Sequence, residues 1–128
     1  MFEFDADLKT VDTGVWAEWG GSKFLIAHIS NMKFQRALAR LQQPHRSKIE
    51  RGTLDPKTNR DILAKAMAEG VLLGWRDVCN SKKEPTEYSL ENAFTALTKS
   101  VEFRDFVAEF AGNLMNYREE QLEDLGNS

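Results

Sequence analysis

The sequence predicts a mainly α-helical α+β domain in which a small N-terminal β-hairpin packs on about four to five helices. Three observations carry this. Two short β-forming runs flank Gly20-Gly21-Ser22, apolar residues recur at helical spacing from Ser30 onward, and Pro44, Pro56 and Pro85 divide the helical pattern into segments. A chain of 128 residues, 41% hydrophobic and 29% charged, suits one domain with its own core and excludes bulk disorder. No apolar run approaches the roughly 20 residues of a membrane span. The start, "MFEFDADLKT", is acidic rather than signal-like, and the single Cys79 rules out an internal disulfide framework and fits a reducing cytoplasm.

Residues 1–12 read as a flexible arm ahead of a single domain spanning 13–128. A hairpin is expected over 14–29, because Val15, Trp16, Trp19, Phe24, Leu25 and Ile26 are of β-forming type around a turn. Two strands alone are marginal in water, so the hairpin must lie on helices, with its tryptophans toward the core or an interface. Ser30 or Asn31 can cap a first helix, 31–43, whose stripe is Phe34, Leu38 and Leu41 and which Pro44 ends. "HRSKIERG" reads as a short basic turn or helix closed by Gly52. Asp55-Pro56 starts the next helix with a capping carboxylate and a proline at the first position, and the periodicity carries it over 55–78. After the polar loop "NSKKEPTEY", Ser89 caps a helix over 89–99. Ser100 restarts the pattern for a helix over 101–124, whose stripe runs through Phe103, Phe106, Val107, Phe110, Ala111, Leu114 and Tyr117.

Charge is unevenly distributed. Lys33, Arg36, Arg40, Arg46, Lys48, Arg51, Lys57 and Arg60 face only Glu50 and Asp55 in their window. That window is +6 and leaves −9 on the rest of a chain whose total is −3. Arg36, Arg40, Arg46, Lys48 and Arg51 form a candidate protein-interaction segment or an ordinary solvated helix face. An acidic partner surface suits them better than nucleic acid, since the chain as a whole is acidic and shows no helix-turn-helix, zinc or RNP motif. The acidic tail Glu119, Glu120, Glu123 and Asp124 of a neighbouring copy is one such surface. A second candidate is the ridge Ala66, Gly70 and Gly74 at i, i+4, i+8, followed by Trp75. A glycine in a helix costs about 1 kcal/mol against alanine, so these residues point to close packing. The ridge either locks the domain's own helices, which is the preferred reading, or forms a self-association or client groove. Met32, Met67 and Met115 are adaptable apolar surfaces if exposed and core filling otherwise.

Motifs for chemistry are lacking. His28, His45 and Cys79 stand apart with no metal-ligand spacing, "WGGSKF" lacks the full phosphate-loop pattern, and the carboxylates form no evident acid/base pair. No catalytic residue, metal or cofactor is expected, and the chain is read as not an enzyme.

The order of features carries a family likeness. The tryptophan hairpin "GVWAEWGGSKFLIAHISNMKFQRAL" is followed by "DILAKAMAEGVLLGWRDV", "YSLENAFTAL" and the terminal "FRDFVAEFAGNLMNYREEQLEDLGNS". Over roughly residues 12–128 this resembles the tail assembly chaperones of long-tailed, siphovirus-type bacteriophages, above all in the helix ending "LLGW" and in "FRDFV…A…NLMNYREE". The resemblance implies a non-enzymatic helper in the host cytoplasm, absent from the mature virion, that binds the long helical tape measure protein and keeps it soluble. It also implies a longer product made by ribosomal frameshifting that recruits tail-tube subunits, this chain being the short form, and self-association along the client. The rival readings are a phage structural or head–tail connector protein and a nucleic-acid-binding regulator.

Overall fold

The computed structural model describes residues 8–118. β1 (Val15–Trp19) and β2 (Ser22–Ile26) form the expected hairpin, with Trp19 opposite Ser22 and Val15 opposite Ile26. Gly20 and Gly21 have φ of 60° and 81°, the left-handed pair that a two-residue hairpin turn matching strand twist requires. Along β1, Val15 and Ala17 are buried while Trp16 and Glu18 are exposed, so one face of the sheet is core and the other is solvent.

The sheet has a third strand. The helix expected over 55–78 stops early: α4 spans Pro56–Gly70, and β3 (Leu72–Arg76) pairs antiparallel with β2 in the order β1-β2-β3. The apolar run "VLLGW" satisfies helical and strand patterns alike, so periodicity could not decide between them. Non-local hydrogen bonding decides it. The Ala27 amide donates to the Val71 carbonyl at 2.8 Å, and the open edge of β2 takes up the backbone of 72–76. Gly74 and Trp75 therefore sit on a strand, and the ridge of small residues ends at Gly70.

The helical starts follow the sequence. The Asn31 side chain accepts from the Phe34 amide at the head of α2 (Met32–Gln42), and Asp55 caps α4 by accepting from the Thr58 amide. That amide bond, with a second from the Thr58 hydroxyl, holds the Asp55 carboxyl below its ordinary range. Pro44 falls in a 3-10 turn, Gln43–His45, which leads into α3 (Arg46–Glu50), and Gly52 closes it at φ 67°. Ser89 and Ser100 cap α5 (Leu90–Lys99) and α6 (Val101–Gly112).

Two boundaries differ from the sequence reading. The last helix, expected over 101–124, ends at Gly112, and helical structure resumes over 115–118. Asparagine side chains compete for the backbone there: Asn113 Oδ1 accepts from the Met115 amide, and Asn116 Nδ2 donates to the Phe110 carbonyl. The part of this helix beyond 118 lies outside the described residues. At the other end, Thr10–Thr13, which straddle the end of the arm expected over 1–12, form a helical turn, α1. It is bonded in place, since the Val11 carbonyl accepts from the His28 amide and Thr10 Oγ1 donates to the Tyr117 carbonyl. Residues 1–7 of the arm lie outside the described residues.

The core fills the space between the sheet's inner face and the helices. Phe24 and Trp19 meet Phe103 at 4.7 and 5.6 Å between ring centroids, and Trp19 stacks on Phe106 at 5.5 Å. Ile26, Leu72, Leu97, Val107 and Tyr117 are fully buried. Among the described residues no helix is long and apolar enough to cross a membrane.

Candidate functional site

The two candidates named from sequence separate in space. Ala66 and Gly70 are buried on α4, where α2 crosses it. A β-carbon on Gly70 would lie 2.5 Å from the backbone nitrogen and Cα of Phe34, so the missing side chain is what admits the α2 backbone. Asn31, itself buried, closes the junction: its Oδ1 caps α2 while its Nδ2 donates to the carbonyls of His28 and Gly70. Gly74 lies on β3 opposite Leu25, and a β-carbon there meets only the Leu25 Cβ at 3.8 Å. Trp75 packs edge-on against Phe24 and Tyr88 and donates its indole N–H to the Thr86 carbonyl at 2.9 Å. The four residues do not line one groove.

The basic segment is partly engaged in the fold. Arg40 Nη2 reaches both carboxylate oxygens of Glu69, at 2.8 and 2.6 Å, and ties α2 to α4. Arg46 pairs with Glu50 at 3.4 Å one turn along α3. Among the described residues Arg36, Lys48 and Arg51 are exposed and make no ion pair. Glu119, Glu120, Glu123 and Asp124 lie outside the described residues.

Non-local contact reveals a further surface. The Ile29 amide donates to the Ala111 carbonyl at 3.1 Å, which ties the approach to α2 to the end of α6. That corner carries Ile29 and Met32 from one segment and Leu114 and Met115 from the other, all exposed, Met32 by 59% and Met115 by 55%. Met67, the third methionine considered, is core. Ile29 was not singled out by the sequence and Leu114 was read as part of the last helix's apolar stripe, because only the bond across 82 positions relates the two segments. The methionines themselves were the available signal.

His28 borders this corner. Its Nδ1 accepts from the Ser30 amide at 3.0 Å, its ring meets Tyr117 edge-on at 5.2 Å, and partial burial lowers its pKa. Cys79 is exposed, on a loop closed by a bridge between Cys79 and Pro85.

Fold and surfaces together define a small α+β protein in which three antiparallel strands lie on helices and exposed apolar residues follow both ends of the Ile29–Ala111 bond. The profile of the YdaY prophage protein family matches residues 29–127, most of the chain. The chain belongs to that family and is phage-derived. Neither curated proteins nor solved structures give a match.

Proposed function

We propose that this phage protein is a tail assembly chaperone, which binds the tape measure protein and keeps it soluble while tail-tube subunits assemble around it. The observation that supports this reading best is the exposed corner of Ile29, Met32, Leu114 and Met115. Unbranched thioethers adapt to varied partners, and an amphipathic helix is held by laying its apolar face into such a surface. A long client with an imperfect apolar stripe requires that tolerance. Phage origin and the sequence resemblance point the same way. On this reading the protein performs no catalysis, acts in the host cytoplasm, leaves the mature virion, and works beside a longer frameshifted form that recruits the tail-tube protein.

Co-expression with the tape measure protein of the same prophage tests the reading. The pair Met32→Asp and Met115→Asp is expected to reduce retained soluble client roughly tenfold, as loss of an interface hot spot does. Because both side chains are exposed, stability should stay within about 0.5 kcal/mol. Equal client solubility with and without the two aspartates removes this corner from the mechanism. Recovery of the protein in purified virions favours a structural or connector role instead.

Self-association belongs to the same proposal, with Arg36, Lys48 and Arg51 of one copy facing Glu119, Glu120, Glu123 and Asp124 of the next. Exposed charges more than about 10 Å apart are largely screened at 0.1 M salt. Light scattering is therefore expected to show assemblies shrinking as salt rises. Assemblies whose size ignores salt are held by something other than this pairing.

A further inference from the structure

The Gln43–His45 turn joins α2 to α3, and a groove of about 370 Å³ lies between the two helices. Ala39 and the exposed Ile49 give it an apolar lining, which Gln42, Gln43, Arg46 and Glu50 complete. Arg36 stands one turn before Ala39, and Lys48 and Arg51 follow on α3 and just beyond it, all exposed. Four cations, Arg36, Arg46, Lys48 and Arg51, thus stand against Glu50 at this surface, which is strongly positive.

The outer face of α6 has the opposite character. Phe103, Val107 and Ala111 are buried on its inner face. Glu102, Asp105 and Glu109, at i, i+3 and i+7, are exposed on the other side. Val101, Ala108 and Gly112 share that outer face, and a β-carbon on Gly112 would meet nothing within 4 Å. An acidic helix face with small residues along it complements a basic groove lined by Ala39 and Ile49. One chain does not bring the two together. The Ile29–Ala111 bond sets the end of α6 beside the head of α2, whereas the groove lies at the opposite end of α2, roughly 16 Å along by helix rise.

We propose that the groove between α2 and α3 receives the outer face of α6 from a second copy of this chain. Small side chains at Ala39, Ala108 and Gly112 admit a close approach, and Ile49 supplies apolar contact. Glu102, Asp105 and Glu109 of one copy meet Arg36, Arg46 and Lys48 of the other. The Arg46–Glu50 pair, at 3.4 Å, is exposed on both sides, so little holds Arg46 back from a neighbour's carboxylate. Groove and α6 face are different surfaces, so the contact is head-to-tail, and each copy that fills a groove offers its own to the next. This contact rests on the self-association reading and gives it α6 as the acidic partner, with no need of residues 119–124.

Sedimentation velocity on full-length chains tests it with two neutralised variants. One combines Glu102→Gln, Asp105→Asn and Glu109→Gln on α6, and the other combines Arg36→Gln, Arg46→Gln and Lys48→Gln at the groove. All these side chains are exposed, so both variants should fold like the parent by circular dichroism. The parent is expected to assemble as its concentration rises, and each variant to need a concentration roughly tenfold higher. An equimolar mixture of the two variants should stop at heterodimers, because one intact α6 face meets one intact groove. A mixture no more associated than the separate variants overturns the proposal. So does an α6 variant that assembles like the parent, and if neutralising Glu119, Glu120, Glu123 and Asp124 then abolishes assembly, the tail is the acidic partner instead. A parent that stays monomeric throughout overturns self-association itself.

Discussion

Gly70→Ala lowers stability by about 2–4 kcal/mol, against the direction that a glycine-to-alanine change in a helix ordinarily takes. Alanine gains about 1 kcal/mol over glycine in a helix interior. Here the new methyl lies 2.5 Å from the Phe34 nitrogen and Cα and 2.9 Å from its Cβ. Backbone cannot rotate away as a side-chain tip can, so α2 must shift as a unit. Overpacking of this kind costs about 1–3 kcal/mol and sometimes more. The shift also pulls Asn31 from the Gly70 carbonyl, a 2.9 Å bond in a buried junction. Leaving a buried polar group unpaired adds about 1–3 kcal/mol. Urea and thermal unfolding measure the result, and a drop in Tm of roughly 10 °C is expected for a domain of this size. Gly74→Ala is the control. Its β-carbon meets Leu25 at an ordinary 3.8 Å, so stability should move by less than about 0.5 kcal/mol. If the two substitutions behave alike, close approach of α2 to α4 is not what Gly70 supplies.

Where local chemistry determines structure, the sequence could be read. The Gly20-Gly21 turn, the Asn31, Asp55, Ser89 and Ser100 caps and the Pro44 stop all act within a few residues of themselves, and all lie where the pattern puts them. β3 was not legible for the opposite reason. Leu72–Arg76 has no strand alternation of its own and becomes a strand through β2, almost 50 positions earlier. The break after Gly112 was hidden because the apolar stripe continues through Leu114 to Tyr117 while Asn113 and Asn116 capture the backbone groups. The same distinction governs the candidate sites. Ala66 and Gly70 were recognisable as close-packing residues from composition and spacing. Their separation from Gly74 and Trp75 depends on where α4 ends. Which cations are already paired depends on Glu69, brought to Arg40 by the crossing of two helices. The apolar corner likewise requires Ile29 to meet Ala111.

Tyr117 joins distant parts of the chain near that corner, and two substitutions separate what it does. The side chain is fully buried, its hydroxyl donates to the Ile26 carbonyl at 3.1 Å, and its ring lies against His28 and Phe110. Its own carbonyl accepts from Thr10, so the N-terminal turn rests on it as well. Tyr117→Ala removes a buried aromatic ring and should cost about 3–5 kcal/mol. Tyr117→Phe keeps the packing and forfeits one hydrogen bond, an expected loss of about 1 kcal/mol near neutral pH. The pH dependence adds a second signature. Burial pushes the Tyr117 hydroxyl well above the ordinary tyrosine value of about 10. Above that pH the unfolded chain releases a proton that the folded chain retains, so the unfolded state binds fewer protons and stability falls as pH rises. The contribution is intact below about pH 10 and declines above it. Tyr88, half-buried with its hydroxyl on Leu72, is raised by burial too, so Tyr117→Phe should reduce the alkaline slope without abolishing it. Urea midpoints at about pH 8 and pH 10.5, on either side of the ordinary tyrosine value, measure this directly. Convergence of parent and Phe variant at the higher pH places the alkaline sensitivity at Tyr117. Parallel curves assign it to other groups and leave Tyr117 a packing residue alone.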